Sequence, residues 1–176
     1  MDNLHSVMKT LLASLILALF ISASNDVLSQ ASPAATATGK VGEATITINY
    51  SSPAVKERKI WGGLVPFDKV WRAGANAATT FETDKDIMVE GQKLPAGKYS
   101  LYALPGEKEW KVFLNSETGQ WGIKRSGEST RDPAKDVLEV TVKPVKSEMS
   151  ERLVYAVNES GVSLKWELLE VPLKIK

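Results

Sequence analysis

The feature that most constrains this chain is an alternation of period two that begins at Glu43 and recurs to the C-terminus. In "EATITINY" the residues Ala44, Ile46, Ile48 and Tyr50 share one face, while Thr45, Thr47 and Asn49 take the other. Successive side chains of an extended strand point to opposite faces, so this pattern suits a half-buried strand and not one stripe of a helix. "SSP" breaks the run. Strands are likewise expected at "TTFET" (79–83), at "DIMVEG" closing on Gly91, at "KYSLYAL" (98–104) and at "WKVFLN" (110–115). "KYSLYAL" is apolar on both faces near its end, as a central strand must be, and "PGEKE" turns the chain after it. Further on, Leu138, Val140 and Val142 share a face of "DVLEVTVKP", and "ERLVYAVN" (151–158) is followed by a turn at "ESG". "VSLKWELLEV" then sets Val162, Leu164, Trp166 and Leu168 inward, with Ser163, Lys165 and Glu167 outward. A last short strand is expected after Pro172.

About eight to ten short strands separated by Gly- or Pro-bearing turns predict an all-β fold. The expected architecture is an antiparallel β-sandwich, jelly-roll or immunoglobulin/transthyretin-like, in a single domain. A length of 176 residues and a 43% hydrophobic content supply enough apolar side chain for one sizeable core. No window supports a long amphipathic helix, although a short one near "LVPFDKVW" is expected as an option. No internal repeat is visible.

Ahead of this body, residues 1–9 are polar and end in a lysine, residues 10–21 ("TLLASLILALFI") are continuously apolar, and "SAS" supplies small residues at 22–24. That order is the order of a secretory signal peptide. The apolar run is well short of the roughly 20 residues a membrane-spanning helix needs. The expected organisation is therefore a signal peptide over 1–24, a flexible linker over 25–42 and a β-sandwich domain over 43–176. Cleavage is expected near Ser24, with Gln30 or Ala31 as the other position and an uncleaved anchor as the alternative. "SQASPAATATGK" is small, polar and Pro-bearing, which suits a tether. The expected location is exported, periplasmic or secreted, with no stable membrane span in the mature chain. Export normally permits disulfides, yet the chain has no cysteine, so its stability must come from packing alone.

Composition removes whole classes of chemistry. The 22 basic and 21 acidic side chains nearly cancel, which leaves no long-range field for the phosphates of nucleic acid. The single histidine is His5, inside the expected signal, so the mature domain holds neither His nor Cys. Ser-His-Asp and Cys-His catalysis fall away, as do zinc and copper sites built on imidazole or thiolate. No nucleophile-elbow, phosphate-loop or dinucleotide-binding glycine pattern occurs. No catalytic residue, metal site or cofactor is therefore assigned.

Carboxylates remain. Asp68, Glu82, Asp84 and Asp86 lie near one another in sequence, and Glu167 and Glu170 sit late. Two of them at the right separation would serve glycoside hydrolysis. Asp84 and Asp86, however, occupy a polar link between strands, where charge is usually just solvated. Calcium binding by Asp84, Asp86 and Glu90 lacks the loop pattern that chemistry uses. The aromatic segments say more. "KIWGGLVPFDKVWRAGAN" sets Trp61 and Trp71 near Arg72 and Asn76, and "GQWG" flanks Trp121 with glycines. Tryptophan faces stack on sugar rings, while Arg and Asn hydrogen-bond hydroxyls or a carboxylate. Trp61, Trp71, Arg72, Asn76 and Trp121 are the candidate ligand-binding residues. The competing reading is a stiff corner: both Trp side chains fill core, Arg72 is held by a carboxylate or by backbone carbonyls, and glycines allow tight turns. Asn49 and Asn158 match the N-x-[ST] acceptor pattern.

The segments "RKIWGGLVPFDKVWRAGANAATTF", "LPAGKYSLYALPGEKEWKVFLN", "QWG" and "LKWE" resemble a secreted bacterial domain-of-unknown-function family. Its members share an I-W-G, V-P-x-x-x-V-W-R-x-G-A-N, L-P-A-G-x-Y-S-L and Q-W-G core. The resemblance covers residues 45–176 and implies export and a single β-rich domain, with no catalytic residue to transfer. One departure stands out: family members often carry an acidic residue after A-N, where this chain has Ala77 and Ala78. If that residue bears function, this copy is weakened. "VEGQKLPAGKYSLYALPG" is also similar to the strand-turn-strand of transthyretin-like extracellular modules, a likeness of fold that names no ligand. The expected function is a non-catalytic exported module that binds a carbohydrate or a cell-envelope component. A carboxylate-dependent glycan hydrolase and a purely structural interaction module are the alternatives.

Overall fold

The structure is a computed structural model, described here over residues 32–176. The expected signal peptide (1–24) and the first residues of the expected linker lie outside the described residues. Among the described residues there are ten strands and one short 3-10 turn, Pro133–Lys135. The strands are β1 (Ala34–Val41), β2 (Ala44–Ser51), β3 (Thr80–Thr83), β4 (Ile87–Val89), β5 (Gln92–Leu94), β6 (Gly97–Leu104), β7 (Trp110–Asn115), β8 (Asp136–Val142), β9 (Val145–Asn158) and β10 (Gly161–Lys174). The fold is all-β, and every strand pair is antiparallel.

One sheet runs in the order β1-β2-β3-β6-β7-β8, β9 and β10 form a long two-stranded ribbon, and β4 and β5 a small hairpin. The hairpin turns on Glu90 (φ 47°) and Gly91 (φ 84°), the pair of positive φ values that matches the twist of its strands. The core lies between the inner face of the large sheet and the ribbon. Ile46, Ile48, Phe81, Leu101, Val112, Leu114, Leu138 and Val140 from the sheet are buried with Leu153, Val162, Leu164, Trp166, Val171 and Leu173 from the ribbon. Strand β6 is buried along both faces from Tyr99 to Ala103, because a second, smaller cluster built on Ala78, Tyr102 and Phe113 covers the other side. That covering positions the candidate site.

Several expectations need correction. Residues 34–41, expected within the flexible linker, form strand β1, paired with β2 from Ala34↔Ser51 to Val41↔Ala44. The alternation was present but written in small residues: Ala35, Ala37 and Gly39 are half-buried while Ala34, Thr36, Thr38 and Lys40 are exposed. Small size is required there, since a Cβ on Gly39 would meet Val157 of β9 at 3.0 Å. Second, no helix forms near residues 64–71; Pro66 and Asp68 (φ 57°) hold turns instead, and Trp71 bridges to Ala103 of β6. Third, the inward set of β10 changes phase. Val162, Leu164 and Trp166 are buried as expected, but Leu168 is 53% exposed and Val171, Leu173 and Ile175 point inward. The register against β9 shifts on both sides of Glu167, whose φ is +55°. β9 advances four residues for two of β10 on each side of this position, and the left-handed backbone at Glu167 breaks the alternation, so later side chains of β10 take the opposite face. Ser163, expected outward, is buried, so this strand has both faces covered at its start. Continuous strand also replaces the separate segment expected after Pro172.

Candidate functional site

Four of the five tryptophans assemble at one place. Trp61, Trp71, Trp110 and Trp166 are in mutual edge or stacked contact, with Trp61 and Trp110 4.8 Å apart between ring centroids and Trp71 stacked on Trp166 at 6.1 Å. Trp61 is 7% exposed, and Trp110 and Trp166 1% each. Offset and edge contacts between aromatic rings stabilise such a cluster beyond its buried area, by about 0.5–1.5 kcal/mol per pair. The indole N–H of Trp71 donates to the Gly74 carbonyl at 3.0 Å. Trp61 thus fills core, while Trp71 is half-buried and packs against it.

The segment between Trp71 and Thr79 is an excursion from the sheet. The Trp71 amide donates to the Ala103 carbonyl and the Leu101 amide to the Thr79 carbonyl, so both ends lie along β6. Across its base the Thr79 amide donates to the Arg72 carbonyl. Inside the loop, Ala73 has φ +52° and Asn76 +57°, conformations that cost a non-glycine residue energy. Two buried hydroxyls hold the Ala73 carbonyl in place, Thr79 Oγ1 at 3.0 Å and Tyr155 Oη at 2.8 Å. Burial pushes the Tyr155 phenol well above the ordinary tyrosine range. Gly74 is needed because a Cβ there would meet Thr79 Oγ1 at 2.7 Å. Asn76 sits exposed at the rim, its amide donating to the Ser32 carbonyl and to Ser51 Oγ.

Over this excursion passes the segment after β7. Gln120, Trp121 and Gly122 form a run of three carbonyls, each held: they accept from the Ala78 amide, from Arg72 Nη1 at 3.1 Å and from the Thr130 amide. Ser100 of β6 donates from Oγ to Gln120 Oε1. Gly122 has φ +86°, and a Cβ on it would stand 2.7 Å from Arg72 Cβ, so only glycine lets the two segments approach this closely. Trp121 itself is 58% exposed, with the Arg72 guanidinium 5.7 Å from its ring centroid, within cation–π range. Arg72 is half-buried, and desolvation lowers its pKa without threatening its charge. Of the five candidate residues, then, the structure brings Arg72 and Trp121 together, leaves Asn76 at the rim, buries Trp61 in the core and packs the half-buried Trp71 against it. Arg72 is held by a backbone carbonyl, as the corner reading requires.

Sequence reasoning did not find the polar layer under this loop. Asn115 is fully buried and donates to the Asp132 carbonyl and Asp136 Oδ1, while Arg131 pairs with Asp136 through two donors and lies 3.6 Å over the Phe113 ring. Each side chain of the Arg131–Asp136 pair is 12% exposed. Pairing satisfies both charges, so the layer fastens residues 116–132 to the outer face of β6–β8. The only signal was "KYSLYAL", whose apolar outer face demanded a cover.

The carboxylates do not converge. Glu82 faces Lys98, Asp86 faces Lys93, Glu170 faces Lys165, and Asp84 accepts from the Thr45 amide. Hydrogen bonds from Thr45 to Asp84 and from Lys93 and Ala96 to Asp86 lower both pKa values, the wrong direction for a general acid. A pocket of about 30 Å³ between Leu101, Trp110, Val112, Tyr155, Leu164 and Val171 has purely apolar walls. Ligand pockets run to roughly 300 Å³ or more, so it is too small for a sugar ring. Among the described residues no group of acids stands where it could hold a metal ion, and no helix is long and apolar enough to cross a membrane. Neither the curated proteins nor the solved structures return a match to the chain. One family does: its members are described as protein of unknown function (DUF2911), and its match spans residues 32–175. The chain belongs to the DUF2911 family of proteins of unknown function.

Proposed function

We propose that this protein is an exported, non-catalytic binding module that holds a glycan or another envelope component at the corner formed by Arg72 and Trp121. One observation carries the reading. Four tryptophans pack against one another, while Trp121 stands 58% exposed on a loop whose carbonyls at 120, 121 and 122 are all hydrogen-bonded. A large aromatic face held rigidly in water loses little entropy when a flat ring stacks on it. Export is supported by the order of residues 1–24 alone: a basic end, an apolar run and small residues.

An array of glycans and cell-wall fragments, probed with the full chain and with Trp121→Ala, tests the reading. Binding by the wild type that Trp121→Ala abolishes is expected, with the variant's stability within about 0.5 kcal/mol because the ring is mainly in water. Binding that survives the substitution, or an array with no binding at all, would contradict it.

A further inference from the structure

Arg72 has unused capacity. A guanidinium carries five N–H donors, and among the described residues only Nη1 has a protein acceptor, the Trp121 carbonyl at 3.1 Å. Among the described residues no carboxylate lies within ion-pairing distance of it. The contrast with Arg131 is direct, because that side chain is answered through two donors by Asp136. A cation that is half out of water, with its counter-charge missing, favours any anion that reaches it. Its position beside the exposed Trp121 ring puts charge and stacking surface within 5.7 Å of each other.

We infer that the ligand of this corner is a carbohydrate bearing a carboxylate, whose ring stacks on Trp121 while its carboxylate takes the free donors of Arg72. The inference rests on the binding reading above and adds its charge. A planar guanidinium matches a carboxylate bidentately, and one uncompensated cation balances one monovalent anion. The exposed Asn76 at the rim carries no charge that would oppose it.

The test uses a trimer of galacturonic acid and its methyl ester, which keeps the rings and removes the charge. Binding of each to the full chain is measured by calorimetry for wild type, Arg72→Gln and Trp121→Ala. The acid is expected to bind about tenfold or more tighter than the ester, the energy of a charge-assisted hydrogen bond. Arg72→Gln should close that gap, and Trp121→Ala should remove both. Should Arg72→Gln fail to fold, raising the salt on the wild type serves instead: the preference for the acid should shrink as the ion pair is screened. Equal affinities for acid and ester, both lost in Trp121→Ala, would overturn the charge and leave the Trp121 site standing. Absence of binding to either trimer would overturn the acidic-carbohydrate inference, with the array of glycans deciding the binding reading, and binding indifferent to Trp121→Ala would overturn both.

Discussion

At the scale of single residues, the corner depends on groups that hold strained backbone in place. Ala73 keeps φ +52° because its carbonyl accepts from Thr79 and Tyr155 together. Tyr155→Phe removes one of these bonds and is expected to cost about 0.5–1.5 kcal/mol at neutral pH, measured by chemical denaturation. The pH dependence has a definite sign. Burial, the largest cause, raises the folded-state pKa of Tyr155 above its unfolded value. The native state therefore keeps a proton that the unfolded chain releases, so stability is complete below about pH 10 and falls as pH rises beyond it. Tyr155→Phe should flatten that alkaline loss. An alkaline limb as steep in the variant as in the wild type would show that the phenol is not buried as described. Gly122 was visible in "GQWG", yet its reason was not: the need to clear Arg72 Cβ depends on a contact fifty positions back in the chain.

At the scale of elements, strands were legible where the apolar face is built of large side chains. Ala44, Ile46 and Ile48 in β2, and Leu138, Val140 and Val142 in β8, are buried as the alternation requires. Strand β1 is not legible in the sequence, because Ala35, Ala37 and Gly39 carry too little apolar surface to print a pattern. The second half of β10 takes the phase opposite to its local alternation, since the kink at Glu167 is set by pairing with β9 and leaves no mark in the sequence. The first half supports a prediction. Trp166 is 1% exposed in the aromatic cluster, so Trp166→Ala should cost about 3–5 kcal/mol, while Lys165→Ala should stay within about 0.5. Thermal or urea unfolding of the two variants checks this. Equal effects would mean that the strand is turned about its axis.

At the scale of the molecule, the cysteine-free chain relies on one apolar core between sheet and ribbon, with a second cluster beneath residues 116–132. The second cluster decides what the corner can do. It fixes the loop that carries Trp121 against the sheet and leaves the ring outside. Of the candidate site, sequence reasoning named Arg72, Asn76 and Trp121 but had no means to divide them from Trp61 and Trp71. An aromatic residue in a Gly-rich segment looks alike whether it turns inward or outward until the neighbouring strands are placed. The five tryptophans divide in this way, and their indole N–H resonances report it one by one. A ¹H–¹⁵N titration of the full chain with the galacturonic acid trimer is predicted to move the Trp121 resonance while those of Trp61, Trp110 and Trp166 stay in place. Shifts centred on the buried three, with Trp121 unmoved, would show that the ligand does not stack on Trp121.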